Sequence, residues 1–288
     1  MRNSVPAISG DGFRDSDLHQ DRDPQVSAED PGHQSPATTP PAAHGSVPKT
    51  WTKTDLINEL AAVHGYRSYL EICTPTTGRL YATVDRDRYT TCHRLMYRCP
   101  DKFDDGLPID FRTSGLDIER HLRVIRAVER KYDVILVDPF HEYETTIRDL
   151  REACELLQPN GTILVHDCFP TDEKIVEPRY QIGSWCGVTY KAYIDFVLAT
   201  PRLWFCTVDT DFGCGVIRQP AQFARDDRAA LPFVAESSKQ LAFQDWKQAG
   251  SDYGKAFRLL QVHATTLLNL VTVEEFLAVE QAATALRR

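Results

Sequence analysis

Two short apolar runs separated by one amphipathic segment constrain the fold of this chain more than any other feature. Residues 132–137 (YDVILV) and 162–165 (TILV) are largely apolar and have the length of buried strands. Between them, from Glu144 onward, apolar side chains recur at spacings of three and four residues, which predicts an amphipathic helix that ends at residues 158–161 (QPNG). Such a strand–helix–strand unit places its strands side by side and parallel, in a sheet covered by helices on both faces. The sequence therefore predicts an α/β fold.

The flanking segments supply the remaining elements of such a fold. A helix with Thr54 as its N-cap should end at Gly65, and a strand over Ser68–Cys73 follows it. The two strands at 203–208 and 215–217 are joined by so short a connection that they must be antiparallel. The other predicted elements are a strand at 92–97 and helices at 116–128 and 188–199.

Composition divides the chain into three parts. Residues 1–48 are rich in proline and acidic side chains and contain a single aromatic residue, so they cannot bury enough apolar surface to fold and should form a disordered tail. Residues 49–220 hold the predicted sheet. Residues 221–288 have the pattern of a helical C-terminal extension, in which Thr272 and Glu275 have the spacing of a capping box.

Composition and charge also exclude several classes of protein. The apolar runs are far shorter than the roughly 18 residues of a membrane-spanning helix, and the N-terminal residues lack the apolar core of a secretory signal. The net charge of −8 argues against a nucleic-acid partner, because binding to the phosphate backbone needs a basic surface. The eight cysteines contain no C-x-x-C pair, which favours reduced thiols. We therefore expect a cytoplasmic protein that binds neither nucleic acid nor membranes.

Polar side chains stand at the points where the predicted strands end. In open α/β sheets, ligands bind at the carboxyl ends of the strands, so these side chains should share one rim. Carboxylates and imidazoles on such a rim can bind a divalent cation or supply a general base, and each can also have a structural role as a cap or as a partner of a backbone carbonyl. The candidates are Glu71 and the loop 74–78 after the first strand, Ser114 before the central unit, Asp138 and His141 after the first central strand, and His166 and Asp167 after the second.

The segments around these residues resemble a class I S-adenosylmethionine-dependent methyltransferase. Within that class they are similar to the group whose motifs run Y-L-E-I-G, then F-D-x-I-x-x-D-G-x-H-x-Y, then L-x-P-x-G-x-x-x-x-H-D. The resemblance covers about residues 51–220 and is most specific in its central part. The matching segments are 69–72 (YLEI), 132–143 (YDVILVDPFHEY), 157–168 (LQPNGTILVHDC), 187–192 (GVTYKA) and 211–217 (DFGCGVI).

The resemblance implies a Rossmann-like sheet of seven strands in the order 3-2-1-4-5-7-6, with an antiparallel last strand. It also implies that S-adenosylmethionine lies over the ends of the first two strands and that a small-molecule acceptor, methylated on a hydroxyl, binds beside it. Mg²⁺ would be held by Asp138 and Asp167, and His166 or His141 would be the catalytic base. Members of this class are often dimers, so a homodimer is implied by analogy. The residues placed at the cofactor are Glu71, Cys73, Gly78, Ser114 and Asp138.

The chain departs from the family pattern on the cofactor side. The glycine loop of the family, E-I-G-x-x-x-G, reads EICTPTTG at residues 71–78, so a cysteine replaces the first glycine. The family carries an acid at the end of its second strand that binds the ribose, whereas the candidates here are Asp101, which comes late, and Asp85, which comes early. Two alternative functions follow: a catalytically inactive methyltransferase-like binding or scaffold protein and, from the D-x-D triplet at 209–211, a glycosyltransferase.

Overall fold

The computed structural model describes residues 50–128, 130–219 and 236–285, and one mixed β-sheet lies at their centre. Its strands are β1 (Ser68–Cys73), β2 (Thr91–Met96), β3 (Phe111–Arg112), β4 (Tyr132–Val137), β5 (Leu157–Val165), β6 (Trp204–Val208), β7 (Cys214–Arg218) and β8 (Leu270–Val271). They lie in the order β3-β2-β1-β4-β5-β7-β6-β8. All neighbouring pairs are parallel except those that β7 makes with β5 and β6.

Helices cover both faces of the sheet. The described helices are α1 (Lys53–His64), α2 (Glu119–Ala127), α3 (Tyr143–Leu156), α4 (Thr189–Ala199), α5 (Glu236–Ala249), α6 (Tyr253–Leu268) and α7 (Val273–Ala285). Short 3₁₀ helices lie at Gly78–Thr83, Arg86–Arg88 and Glu173–Ile175. None of the described helices is long and apolar enough to cross a membrane.

The strand order confirms the predicted α/β fold. β4 and β5 are parallel neighbours, with Val134 opposite Thr162. Alternate residues of β4 enter opposite cores: Val134 and Leu136 pack on one side of the sheet, and Ile135 and Val137 on the other. The first seven strands follow the order 3-2-1-4-5-7-6 that the resemblance implied, and β7 is antiparallel as expected. The eighth strand, β8, is an addition that the sequence did not reveal.

β5 begins earlier than the sequence predicted. The turn predicted at 158–161 is part of the strand, because α3 ends at Leu156 and β5 begins at the next residue. The pairing with β4 shifts register between Tyr132 and Val134. A Cβ on Gly161 would lie 2.6 Å from the carbonyl oxygen of Asp133, so the glycine lets the irregular start of β5 pass close to β4.

α1 begins two residues earlier than predicted. Its N-cap is Thr52, not Thr54, because Asp55 lies three residues after Thr52 and completes a capping box with it. The Asp55 carboxylate accepts the N–H of Thr52 at 2.9 Å. The predicted stop at Gly65 is confirmed, with a left-handed φ of 68°. The capping box makes Lys53 the first residue of the helix, and its side chain is buried.

The C-terminal residues are helical as predicted, and they also extend the sheet. β8 pairs in parallel with β6, and Trp246 of α5 is buried in the same core as the central strands. The capping box before α7 is confirmed: the N–H of Thr272 donates to the carboxylate of Glu275 at 2.8 Å. The division of the chain at residue 220 stays a prediction, and the tail over residues 1–48 lies outside the described residues.

Candidate active site

Four of the predicted site residues meet at one rim of the sheet. Asp138 follows β4 directly, and His166 and Asp167 follow β5, which is its parallel neighbour. His141 lies in the turn before α3. One ligand atom from each of Asp138, His141 and Asp167 lies within 4.8 Å of the other two, and all three residues are buried. The juxtaposition follows from the parallel register of β4 and β5, which brings their carboxyl ends to the same edge.

The two histidines have different neighbours. Nδ1 of His141 lies 3.3 Å from Oδ2 of Asp167 and 3.2 Å from the hydroxyl of Thr189. His166 lies among three carboxylates: its Nδ1 is 3.3 Å from Asp167 and 3.5 Å from Asp138, and its Nε2 is 3.3 Å from Asp211. Both ring nitrogens of His166 therefore face protein carboxylates, whereas His141 faces one carboxylate, through Nδ1.

These neighbours move the two pKa values in opposite directions. Burial lowers the pKa of His141, and the attraction of Asp167 and Asp138 offsets this only in part. Burial also lowers the pKa of His166, but the surrounding carboxylates, Asp167 foremost, outweigh it and raise this pKa well above its ordinary value. At neutral pH His141 is therefore a neutral imidazole and His166 an imidazolium.

Both central carboxylates are ionised. Burial alone would raise the pKa of Asp138 and Asp167. Lys53 and His166 beside Asp138, and His166 and His141 beside Asp167, hold both pKa values below their ordinary range. The rim thus combines buried negative charge with buried positive charge, a combination that clusters at functional sites.

Sequence reasoning missed Lys53. Its ammonium forms a buried ion pair with Oδ2 of Asp138 and donates to the carbonyl oxygen of Thr77 at 3.2 Å. Burial by itself lowers the pKa of Lys53, but the attraction of Asp138 outweighs it and raises this pKa above its ordinary value. The only sequence signal was the capping box of Thr52 and Asp55, which places residue 53 at the start of a helix.

Asp211 also belongs to this rim, although the sequence singled it out only in the D-x-D triplet and in the matching segment 211–217, not as a site residue. Its carboxylate accepts the backbone N–H of Lys53 at 2.8 Å and lies beside His166. Asp211 has a left-handed φ of 47°, as does Asp167 at 60°. The β6–β7 turn folds onto the end of β5, where the N–H of Cys168 donates to the carbonyl oxygen of Gly213 at 2.9 Å. This places Asp211 at the rim, while Asp209 is exposed.

Gly187 fixes the backbone of His141. Its φ is 53°, and a Cβ there would overlap the carbonyl oxygen and Cβ of His141. The N–H of Val188 donates to that same carbonyl at 2.8 Å, immediately before α4 begins. The glycine of the matched G-V-T segment therefore has a structural role, because it allows this segment to pack closely against the turn that contains His141.

A cavity of about 650 Å³ opens over this rim. Such a volume suits a small-molecule ligand. Three aromatic rings form part of its wall, with Trp185 5.1 Å from Phe140 and 5.3 Å from Tyr180 between ring centroids. The lining residues are Lys53, Thr76, Thr77, Arg79, Leu80, Asp138, Phe140, His141, His166, Asp167, Tyr180, Gln181, Ile182, Gly183, Ser184, Trp185, Cys186 and Phe212.

The predicted cofactor residues other than Asp138 are not among the residues that line this cavity. Glu71 is buried, accepts the Tyr69 hydroxyl at 2.7 Å, and has a pKa that burial raises to about 7. A Cβ on Gly78 would lie 2.7 Å from Sγ of Cys73 and 3.0 Å from the guanidinium of Arg94, so this glycine permits close packing beneath the loop. Ser114 is exposed after β3. The loop reaches the cavity instead through residues 76, 77, 79 and 80.

The end of β2 carries an arginine where the resemblance implies an acid. Arg98 has a φ of 50°, and its guanidinium lies 3.8 Å from the ring centroid of Phe140. Of the two carboxylates considered from the sequence, Asp85 pairs with Arg88 at 3.3 Å, and Asp101 is exposed. Neither carboxylate lines the described cavity.

Comparison with known proteins agrees with these motifs. Residues 76–168 match the sequence model of a family described as a methyltransferase domain. The match covers about a third of the chain and includes β2, β3, β4, β5 and the rim residues that follow them. No curated protein matches the chain significantly.

Several solved structures are similar at low identity. An O-methyltransferase from Bacillus cereus in complex with SAH is 16% identical, with a TM-score of 0.43 over 62% of this chain and 84% of that one. The SAH-bound methyltransferase PaMTH1 from Podospora anserina is 15% identical, with a TM-score of 0.39 over 58% and 77%. The O-methyltransferase TomG from Streptomyces achromogenes, in complex with SAM, is 11% identical, with a TM-score of 0.40 over 57% and 78%.

The family match covers residues 76–168 and is described as a methyltransferase domain. The strand order is that of a methyltransferase-like sheet, as the resemblance implied.

Proposed function

We propose that this chain transfers a methyl group from S-adenosylmethionine to a hydroxyl group of a small-molecule acceptor. The observation that carries the proposal is the pairing of His141 with Asp167 in the wall of the 650 Å³ cavity. The same wall contains Thr76 and Thr77 from the loop after β1, which is where class I enzymes hold the cofactor. Buried carboxylates in that wall also suit a cofactor with a positively charged sulfonium group.

His141 is the better candidate for the catalytic base. Its Nδ1 is held by Asp167 and by the hydroxyl of Thr189, which leaves Nε2 as the acceptor nitrogen of a neutral imidazole. When bound, S-adenosylmethionine supplies the methyl group that the acceptor oxygen receives. His141 takes up the proton that the hydroxyl loses, and Asp167 stabilises the imidazolium that results.

His166 has a different role in this proposal. Because both of its nitrogens face carboxylates, it has no ring nitrogen ready to receive a proton from the acceptor. As an imidazolium it holds Asp138, Asp167 and Asp211 in one place despite their like charges. The sequence placed His166 and His141 equally as bases, and the geometry favours His141.

The expected Mg²⁺ fits these residues poorly. Asp138, His141 and Asp167 are close enough to share an ion, but Oδ2 of Asp138 is already paired with Lys53. The two oxygens of Asp167 lie 3.3 Å from His141 and 3.3 Å from His166. The proposed reaction therefore uses the side chains alone and includes no step that depends on Mg²⁺.

The base assignment is tested by His141→Gln, which keeps a polar side chain but removes the basic nitrogen. We expect formation of S-adenosylhomocysteine with a panel of hydroxyl acceptors, followed by mass spectrometry, to fall at least 100-fold, a loss typical of a general base. Calorimetric affinity for S-adenosylmethionine should stay within about threefold, since His141 faces the acceptor. His263→Gln, in α6, is the matched control and should leave both values unchanged. Undiminished turnover in His141→Gln would contradict the assignment.

A further inference from the structure

The ammonium group of Lys53 places a positive charge within the cluster of carboxylates at the rim. The ammonium group of Lys53 is in contact with Oδ2 of Asp138 and with the carbonyl oxygen of Thr77, and the residue is only 6% exposed. A carboxylate oxygen and a backbone carbonyl oxygen are also the ligand types that Mg²⁺ and Ca²⁺ prefer. Lys53 thus occupies the Oδ2 side of Asp138, from which a divalent ion could otherwise bind.

The backbone around Lys53 holds the ammonium in this position. The capping box of Thr52 and Asp55 fixes the start of α1, and the N–H of Lys53 donates to Asp211 at 2.8 Å. From the other side, the Thr77 hydroxyl donates to the carbonyl oxygen of Asp138 at 2.8 Å. The lysine is therefore anchored at its main chain and at its ammonium group.

The charges at the rim oppose an additional divalent ion. The ammonium of Lys53 contacts Asp138, and the ring of His166 lies within 3.5 Å of Asp138, Asp167 and Asp211. A divalent ion bound to Asp138 would lie within a few ångströms of the ammonium, and two cations at such a separation repel strongly in a buried site. An ion bound through Oδ2 of Asp138 would require the buried lysine to move away from this oxygen.

We propose that Lys53 is the resident cation of this site and excludes divalent metals from it. Loss of the ammonium opens a divalent-metal site formed by Asp138, His141 and Asp167. The inference rests on the proposed function only in assigning this rim to methyl transfer, because exclusion of the metal is a property of the side chains themselves. Two carboxylates and an imidazole suit Mn²⁺, which makes Mn²⁺ a suitable probe.

The test is a titration of the full-length protein with Mn²⁺, in which electron paramagnetic resonance counts the free ion. We expect the wild type and the control Lys102→Met, an exposed lysine, to bind no Mn²⁺ at this rim. Lys53→Met should gain one site, with an affinity for Mn²⁺ at least tenfold above that of any Mn²⁺ binding elsewhere on the wild type. The double variant Lys53→Met with Asp167→Asn should lose that gain.

Two results would overturn the proposal. One is a wild-type protein that binds a single Mn²⁺ which Asp167→Asn abolishes. The other is a folded Lys53→Met variant whose affinity for Mn²⁺ equals that of the wild type. If circular dichroism shows that Lys53→Met is unfolded, Lys53→Gln replaces it in the same titration. Neither readout depends on methyl transfer, so the absence of S-adenosylmethionine binding would reject the proposed function without deciding the role of Lys53.

Discussion

His141 and His166 lie on the same rim, and their neighbours set opposite protonation states. One imidazole faces a single carboxylate and a hydroxyl, and the other faces three carboxylates. The sequence placed both residues at the ends of the central unit, but it could not separate their roles. Asp167 foremost, together with Asp138, outweighs burial at His166, whereas at His141 the same two carboxylates do not.

The lowered pKa of His141 gives the reaction a characteristic pH dependence. A base must be deprotonated to act, so kcat/KM should rise with pH as His141 loses its proton and then reach a plateau. Because the pKa of His141 is lowered, the midpoint of this rise should fall below the ordinary histidine value of about 6.5. A pH–rate profile with a fixed acceptor measures the midpoint. A rise centred above pH 7 would contradict His141 as the base.

Gly187 illustrates a residue whose small size serves the site indirectly. Gly187→Ala places a Cβ against the carbonyl of His141 and requires a left-handed backbone at a non-glycine residue. The left-handed conformation costs roughly 1–2 kcal/mol and the overlap roughly 1–3 kcal/mol, so we expect a loss of unfolding free energy of about 2–5 kcal/mol. Urea denaturation measures this loss.

Gly250→Ala is the matched control for that measurement. Gly250 also has a φ of 53°, but a Cβ there meets no atom within 4 Å. Its substitution should therefore cost only the backbone part, about 1–2 kcal/mol. Equal losses of unfolding free energy for the two variants would show that the overlap with His141 does not contribute to the loss in Gly187→Ala.

Among the secondary-structure elements, α1 contacts the residues that follow two different strands of the sheet. Its first residue contacts Asp138 after β4, and the N–H of the same residue contacts Asp211 after β6. The helix and its stop at Gly65 could be predicted from local signals. The contact with Asp138 spans 85 residues along the chain, and no local pattern identifies the partner of a helix-start lysine.

A buried ion pair joins α7 to β7. Both guanidinium nitrogens of Arg218 donate to Glu280, at 2.8 and 2.7 Å, and His64 of α1 lies 2.6 Å from the same carboxylate. Burial alone would raise the pKa of Glu280, but Arg218 foremost lowers it to about 2. The carboxylate is thus charged in the folded protein throughout the physiological range.

Glu280→Gln removes the negative charge that pairs with the buried guanidinium of Arg218. We expect a loss of unfolding free energy of about 3–5 kcal/mol at pH 7, measured by urea denaturation. The pKa of Glu280 is lowered on folding, so the stabilisation is complete above about 4.3, the unfolded value, and is lost as the pH falls towards about 2. Glu274→Gln, on the exposed side of α7, should change stability by less than about 1 kcal/mol. A Glu280→Gln loss no larger than that of the control would contradict the role of the pair.

For the molecule as a whole, the sheet could be predicted because its signals are local. Short-range rules predict that β4 and β5 are parallel neighbours, because two apolar runs flank the amphipathic spacing of α3. They also predict that β6 and β7 are antiparallel, because the connection between them is short. β8 escaped prediction because two residues carry no periodicity, and only their pairing with β6 makes them a strand. The predicted homodimer and cytoplasmic location stay predictions.

The site could be predicted in part. Sequence reasoning brought together Asp138, His141, His166 and Asp167, since all follow adjacent parallel strands. It did not find the two residues that complete the rim, Lys53 and Asp211, because each reaches it from an element remote in sequence. The assignment of Gly78 to the cofactor stays a prediction, and in the structure this glycine packs beside Cys73 and Arg94.

The most direct test of the central claim is a calorimetric titration of the full-length protein with S-adenosylmethionine and S-adenosylhomocysteine. We expect one site per chain with micromolar affinity for both ligands, unchanged by EDTA, because residues 76, 77, 79 and 80 line the cavity and Lys53 supplies the cation at Asp138. No binding heat for either ligand, from protein shown to be folded by circular dichroism, would contradict the claim that this cavity serves methyl transfer.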